Sequence, residues 1–308
     1  MPMLSDDFVI TIEVVPPGGP DPSPLIDTLA SLSALPFSGF SVASNPVAKP
    51  RMSAMALCAM IRKHLDKPAV LHLTTRDHNR LSLQGELWGA RALGIDTVML
   101  ATGDLVAFDD RHATTTVRDT DIYGLVRMAR ESGMQTGVVF DIHPERNGLS
   151  QAVAHLKRKV DAGAQFAVTQ PVYDMAGADQ IADATHDMRI PMIMGILPLR
   201  TPRHADFLHH KVAGIAVPES LRARMHMAED PVKEGVANAR EMVSAARQSF
   251  AGACIMPPFD HFEVMTDILF PDPGSISFNL KRTHRPPSTN NTPGKRTNDQ
   301  SNNKGRHP

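Results

Sequence analysis

Eight short apolar runs alternate with longer amphipathic stretches between Phe8 and about Phe270. The runs are FVITIEVV (8–15), FSGFSVAS (37–44), PAVLHLTT (68–75), DTVMLAT (96–102), QTGVVFDI (135–142), AQFAVTQ (164–170), IPMIMGILP (190–198) and GACIMPP (252–258). Several are nearly continuous in apolar residues rather than alternating, the pattern of parallel strands covered on both faces. The helical stretches between them are PLIDTLASLSAL, MSAMALCAMIRKHL, RLSLQGELWGARALG, TDIYGLVRMARESG, LSQAVAHLKRKVDAG and GADQIADATHDM, then a segment from HADFLHHKV to SLRARMHMA, and last DPVKEGVANAREMVSAARQ. In the fifth, Val153, Leu156 and Val160 form an i, i+3, i+7 stripe, and Gly163 supplies a stop. Eight strands each followed by a helix predict a (β/α)8 TIM barrel, which needs about 250 residues. A doubly wound sheet is the alternative, disfavoured because no GxGxxG opens a helix after an early strand.

Composition changes this picture at one end. The formal charge of −1 is a sum of two unlike parts: 275–308 carries +6 and the remainder −7. From Lys281 to Pro308 there is no apolar or aromatic residue beyond proline and glycine. Such a segment cannot bury enough surface to offset its ordering entropy. The expected organisation is therefore one barrel domain over 1–274 followed by a disordered basic tail over 275–308. Near-zero net charge and scarce aromatics argue against a nucleic-acid partner. Two cysteines, Cys58 and Cys254, exclude a disulfide framework or an all-cysteine metal site. MPMLSDDFVI lacks the basic start and apolar core of a secretory signal, and no apolar stretch reaches the roughly 20 residues a membrane span requires. A cytoplasmic protein with no membrane partner is expected.

In a barrel of this kind the chemistry sits at the carboxyl ends of the strands. Those ends carry Glu13 with Pro16-Pro17, Ser44-Asn45-Pro46, the stretch from His72 to Asp77, Gly103-Asp104, His143-Pro144-Glu145 and Thr169-Gln170. Glu13 lies inside the apolar strand ITIEVVPP. Poor solvation there would raise its pKa and suit it to general-acid work near neutrality. The structural alternative is a carboxylate that caps a neighbouring loop. Asp104 follows a glycine turn, where an aspartate either satisfies backbone N–H groups or serves a ligand. Gln170 offers an amide able to read a planar heterocycle. His72 alternates with apolar neighbours, as core histidines do. Lys157, Arg158 and Lys159 read as a solvated helix face, although Lys159 adjoins the apolar stripe and has the reach of a phosphate ligand. No HExxH, Walker motif or nucleophile elbow is present, so no metal centre is expected.

At these loops the chain resembles the methylenetetrahydrofolate reductase family, most closely the reductase module that some bacteria carry fused behind a homocysteine methyltransferase. The carrying segments occur in family order: IEVVPP, FSVASNPVAKPRMS, HLTTRDHNR with Gln84, ALGIDTVMLATGD, HPE, LKRKVDAGAQFAVTQPVYD, PMIMGILP, ADFLHHKVAGIAVPE and IMPPF. The resemblance implies an FAD-dependent oxidoreductase of one-carbon and methionine metabolism. It would reduce 5,10-methylenetetrahydrofolate to 5-methyltetrahydrofolate with NADH or NADPH, by ping-pong hydride transfer. It assigns Glu13 as general acid and Asp104 as the carboxylate between flavin and folate. Ser44, His72, Thr102, Gly103, Asp104, His143, Arg158 and Lys159 fall to FAD, the last two to its pyrophosphate. Gln170, Tyr173 and His261 fall to the folate substrate, and a homo-oligomer is expected. Phe140, Tyr173 and Phe259 are the aromatic residues near strand ends that could stack on a ring. The competing reading is a non-redox pterin-binding methyltransferase or C1-carrier accessory protein on the same barrel.

Overall fold

The structure, a computed structural model, describes residues 8–142, 148–212 and 214–270. The tail expected over 275–308 and His143 lie outside the described residues. Eight strands close a parallel barrel in chain order: β1 (Val9–Val14), β2 (Gly39–Val42), β3 (Ala69–Thr74), β4 (Thr97–Ala101), β5 (Gln135–Phe140), β6 (Phe166–Pro171), β7 (Met192–Ile196) and β8 (Gly252–Ile255). Closure is made by β1 against β8, with Val9 opposite Gly252 and Ile12 opposite Ile255. The helices are α1 (Ser23–Leu32), α2 (Ala54–Leu65), α3 (Arg80–Ala92), α4 (Ile122–Glu131), α5 (Gly148–Asp161), α6 (Met175–Thr185), α7 (Pro202–Lys211), α8 (Glu219–Met227), α9 (Pro231–Ser249) and α10 (Val264–Leu269). The segment read as one helical stretch from HADFLHHKV to SLRARMHMA is two helices, α7 and α8, and α10 had no counterpart in the periodicity.

Strand parity sorts the core into two shells. Val9, Val70, Met99, Phe166, Val168, Ile193 and Cys254 pack together inside the barrel. Phe166 fills the lumen so closely against Gly137 that a Cβ there would lie 2.2 Å from its ring. Residues of the opposite parity, such as Ile12, Phe40, Leu71, Val98 and Ile196, are fully buried between strands and helices. Parallel strands covered on both faces need apolar side chains at both parities, which is why the sequence runs are continuous. In α4, Ile122, Leu125, Val126 and Ala129 form the buried stripe, and Asp121 caps the first turn by accepting from the Gly124 N–H at 2.7 Å. Caps of the same kind at Asn79, Asp174, Thr201 and Asp230 begin α3, α6, α7 and α9. Those preceding α3, α6 and α7 follow the carboxyl ends of strands and so help to shape the mouth.

Candidate active site

Glu13 is the penultimate residue of β1 and half-buried. Its parity puts it in line with Val9 and Thr11, on the lumen side. Burial pushes its carboxyl from 4.5 up to about 7, and the negative charge of Asp104 adds to the rise. Beside it in register stands Ser41 of β2, whose Oγ shares a 2.7 Å hydrogen bond with Nε2 of His72 on β3. Burial lowers His72 to about 4, so its imidazole is neutral at pH 7. Burial, reinforced by the charge of Glu13, pushes the Cys254 thiol up to about 12 and leaves it inert as a nucleophile. A polar layer of Glu13, Ser41 and His72 thus sits on top of the apolar plug.

Around it, one side chain ties three loops together. Arg76 is only 5% exposed. Its Nε and Nη2 donate to the two carboxylate oxygens of Asp77 at 2.5 and 2.7 Å, a bidentate pair. Nη2 also donates to the Asn45 carbonyl at 3.0 Å and Nη1 to the Asp104 carbonyl at 3.2 Å. Asp77 accepts further from Asn45 Nδ2 at 3.2 Å and Thr74 Oγ1 at 3.3 Å. Burial raises the Asp77 carboxyl, but the hydrogen bonds from Arg76, Asn45 and Thr74 and the Arg76 charge outweigh it and hold the group below its ordinary range. The loops after β2, β3 and β4 are therefore one hydrogen-bonded body.

Gly103 places Asp104 within that body. Its φ of +84° favours glycine, and a Cβ there would meet Arg76 and Thr74 at 3.0 and 3.1 Å. The Asp104 carboxylate accepts from the Val47 N–H at 2.6 Å. Val47 itself has φ 51°, a costly conformation for a β-branched residue. Thr102 is exposed, and its carbonyl accepts from Thr75 Oγ1 at 3.4 Å; Ser44 is half-buried at the end of β2. Val47, Leu105 and Phe108, exposed by 69, 72 and 81%, give the loops after β2 and β4 an apolar rim.

At the ends of β5 and β6, Gln170 Nε2 donates to Asp141 Oδ1 at 3.0 Å. Lys159 reaches from α5 to donate to the Val139 carbonyl at 2.7 Å. Burial lowers the Lys159 pKa, while the charge of Asp141 pulls it the other way. Arg158 turns elsewhere: its guanidinium lies over the Tyr123 ring of α4 at 4.2 Å. Two of the aromatic residues near strand ends are not at the mouth either. Phe140 shares the parity of Val138, away from the lumen, and is 1% exposed. Tyr173 packs with Leu199, Ala205 and Leu208, its buried hydroxyl without a partner.

The loop after β8 carries Phe259 and His261. His261 Nδ1 is 2.6 Å from Glu263 Oε1, and burial raises the neighbouring Asp260 carboxyl despite the opposing charges of Arg51 and His261. Phe259 is exposed, with its ring 5.4 Å from that of His204 at the start of α7. Sequence reasoning placed Arg76 and Asp77 at a strand end without giving them a role, and they organise the mouth; it did not single out Arg200 and His204, and the His204 ring lies beside that of Phe259. An Arg-Asp pair at a strand end was the available signal for the first two. Among the described residues, no three His, Cys, Asp or Glu side chains are grouped to hold a metal ion, and no helix is long and apolar enough to cross a membrane.

The chain is similar to known proteins in sequence and in fold. A family model described as "Methylenetetrahydrofolate reductase" matches residues 2–257. The chain is 27% identical over 177 residues to the 5,10-methylenetetrahydrofolate reductase of Buchnera aphidicola subsp. Acyrthosiphon pisum, covering 57% of this chain and 60% of that protein. It is 27% identical over 189 residues to the Salmonella typhimurium protein of the same name, covering 59% and 61%. The matched stretch thus spans about three fifths of these relatives. Among solved structures, an uncharacterized Clostridium thermocellum protein that binds two copies of 5-methyl-5,6,7,8-tetrahydrofolic acid shares the fold at TM-score 0.61 and 14% identity, over 86% of this chain and 93% of that one.

Proposed function

Because the chain belongs to the methylenetetrahydrofolate reductase family, we propose that it reduces 5,10-methylenetetrahydrofolate to 5-methyltetrahydrofolate with a hydride drawn from NADH or NADPH and relayed by FAD. The observation that carries this reading is Glu13: a carboxyl raised to about 7, at a mouth where a second carboxylate, Asp104, helps keep it protonated.

The donor set suits a flavin. Asp104, Gln170 and Lys159 present a carboxylate, an amide and an ammonium at the ends of β4 to β6, and a flavin ring edge offers both donors and acceptors to such groups. Lys159, held on the Val139 carbonyl, would be the cation for the pyrophosphate, while Arg158 is engaged with Tyr123. Bound FAD would supply the hydride relay that separates oxidation of the nicotinamide from reduction of the folate, as a ping-pong order requires.

The chain's own residues supply the rest. When a C–N bond of the folate's imidazolidine ring opens, its electron pair stays on nitrogen, and the Glu13 proton is placed to be taken up there. The Asp104 charge stabilises the cationic iminium left on carbon, which is the hydride acceptor. Asp141 accepts from Gln170 Nε2, leaving Gln170 Oε1 to read a ring N–H of the pterin. His72, neutral and bonded to Ser41, fills the floor without adding charge.

The direct test is the visible spectrum. The protein reconstituted with FAD is expected to be yellow, to bleach anaerobically with NADH or NADPH, and to regain colour with 5,10-methylenetetrahydrofolate. A colourless protein that binds tetrahydrofolate yet oxidises no nicotinamide would instead mark a C1-carrier on the same barrel.

A further inference from the structure

Several cations around the mouth are supplied with a carboxylate of their own. Arg76 is paired with Asp77 and Lys49 with Asp110 at 2.6 Å, while the charge of Arg51 acts on Asp260 and that of Asp141 on Lys159. Asp104 is treated differently. Its carboxylate accepts from a neutral donor, the Val47 N–H, and among the described residues no Lys or Arg forms an ion pair with it. The guanidinium that does reach Asp104 takes hold of its backbone. Arg76 Nη1 donates to the Asp104 carbonyl at 3.2 Å, while Nε and Nη2 are engaged with the two oxygens of Asp77 at 2.5 and 2.7 Å. The Arg76 carbonyl in turn accepts from the Val117 N–H at 3.0 Å, so both ends of the loop between β4 and α4 are fastened to this residue.

Asp104 is exposed, and its charge is felt at Arg76. A guanidinium so placed favours a bidentate pair with the nearest free carboxylate. Asp77 already fills that role, and so Asp104 is held by two neutral backbone contacts that leave its charge whole. That charge is the one that acts on Glu13. The other groups around Glu13 carry none: Ser41 and Thr11 are hydroxyls, His72 is neutral and Cys254 stays a thiol.

Resting on the reductase reading above, we propose that Asp77 is a positioning residue for the proton donor: it occupies the Arg76 guanidinium, so that Arg76 holds the Asp104 backbone without cancelling the Asp104 carboxylate. The Arg76–Asp77 clamp adds no net charge of its own. The negative charge it positions is left to act on Glu13 and on the cationic iminium of the folate. Without Asp77 the same guanidinium would turn on Asp104, and the field at Glu13 would be lost although the loop remained in place.

The test is a titration of Glu13 in the full chain, without flavin or folate, by carbon-13 NMR of labelled glutamate carboxyls. Glu13→Gln identifies the signal, and the wild-type midpoint is expected at about 7. Asp77→Asn frees the guanidinium, and the midpoint is expected to fall by roughly 0.5 to 1 pH unit. Asp77→Glu keeps the countercharge and is expected to titrate as the wild type does. Asp104→Asn is expected to lower the midpoint as far as Asp77→Asn, and the two changes together no further. An unmoved midpoint in Asp77→Asn, or falls that add in the double variant, would overturn the proposal. Should Asp77→Asn not fold, Arg76→Gln combined with it removes both charges of the clamp. A midpoint kept there at about 7 upholds the proposal, and a fall overturns it, because the clamp would then act through shape. The alkaline fall in folate reduction should move in the same order. A titration that follows Asp77 in a chain that never oxidises NADH or NADPH upholds the clamp and removes the reductase. Turnover by a chain whose Glu13 ignores Asp77 does the reverse.

Discussion

The mouth of this barrel has two sides built on opposite rules. After β2, β3 and β4, polar groups answer one another: Arg76 donates to Asp77, to Asn45 and to the Asp104 backbone, and Asp104 in turn holds the Val47 N–H. After β7 and β8, Arg200 Nε and His204 Nδ1 are enclosed without partners, and Phe259 stands exposed with φ 54°. A group whose hydrogen bonds are satisfied internally can set a field or fix a pKa, but it has little left to offer a ligand. A group left unsatisfied is costly until something docks on it. The paired side is therefore suited to tuning chemistry, and the unpaired side to receiving a ligand. Each substitution below should act on one side and spare the other.

The largest effect is expected from Glu13→Gln, which keeps shape and removes the proton. Folate reduction should fall by about 10²- to 10⁴-fold, the usual worth of a general acid, while bleaching of the flavin by NAD(P)H persists in stopped-flow traces. Comparable loss of both half-reactions would return Glu13 to a structural role. Stability should move the other way. A carboxyl raised from 4.5 to about 7 opposes folding once it must ionise, by about 3 kcal/mol at the limit. The cost is absent below 4.5 and grows as pH rises through about 7, so the variant should match the wild type near pH 4 and exceed it at pH 9.

Asp77→Ala attacks the paired side at its centre. It strands the Arg76 guanidinium in a nearly closed site, and breaking such a pair costs about 3 kcal/mol. Urea unfolding should show the loss. Because the Asp77 carboxyl is held below its ordinary 3.8, its contribution is full above that value and fades as pH falls through the folded value. The gap between variant and wild type should close in acid. A gap that ignores pH would mean that lost packing, not the ion pair, carries the effect.

How far these features could be read in advance depends on what each rests on. The barrel was legible because continuous apolar runs and helical stripes are local. Glu13, Asp104 and Gln170 were legible as polar interruptions at strand ends. The partnership of Arg76 with Asn45 and Asp104 was not, because it joins residues 31 and 28 apart that meet only when the barrel closes. Continuous runs also hide parity, which is why Phe140 could be proposed for stacking although it faces the helices. Phe108, in the long loop after β4, had no periodic context at all. Arg200 was invisible for a different reason: its distinction is the lack of a partner, which no motif records.

Gly103→Ala should cost less, about 1–3 kcal/mol, from a left-handed φ and a Cβ at 3.0 Å from Arg76. It tests whether the paired side is rigid enough to hold Asp104. If it is, the displaced charge no longer raises Glu13 as far, and the alkaline fall in folate reduction should begin at lower pH. A stability loss with an unmoved pH profile would show that Asp104 keeps its place by another route.

The smallest effect is expected on the unpaired side, from Phe259→Gly. Left-handed backbone costs a phenylalanine about 1–2 kcal/mol, and glycine relieves it while giving back about as much in the entropy of the unfolded chain. The melting temperature should therefore stay within about 3 °C. Tetrahydrofolate should bind roughly 2- to 10-fold more weakly, the worth of one aromatic contact, and 6-methyltetrahydropterin, which keeps the pterin and lacks the tail, should bind unchanged. Loss of stability without loss of this preference would mean that the ring packs for the fold. Loss of preference at constant stability would show why the strain at residue 259 is tolerated: it holds an aromatic face open at a corner of the mouth where, among the described residues, Arg200 Nε and His204 Nδ1 have no partner.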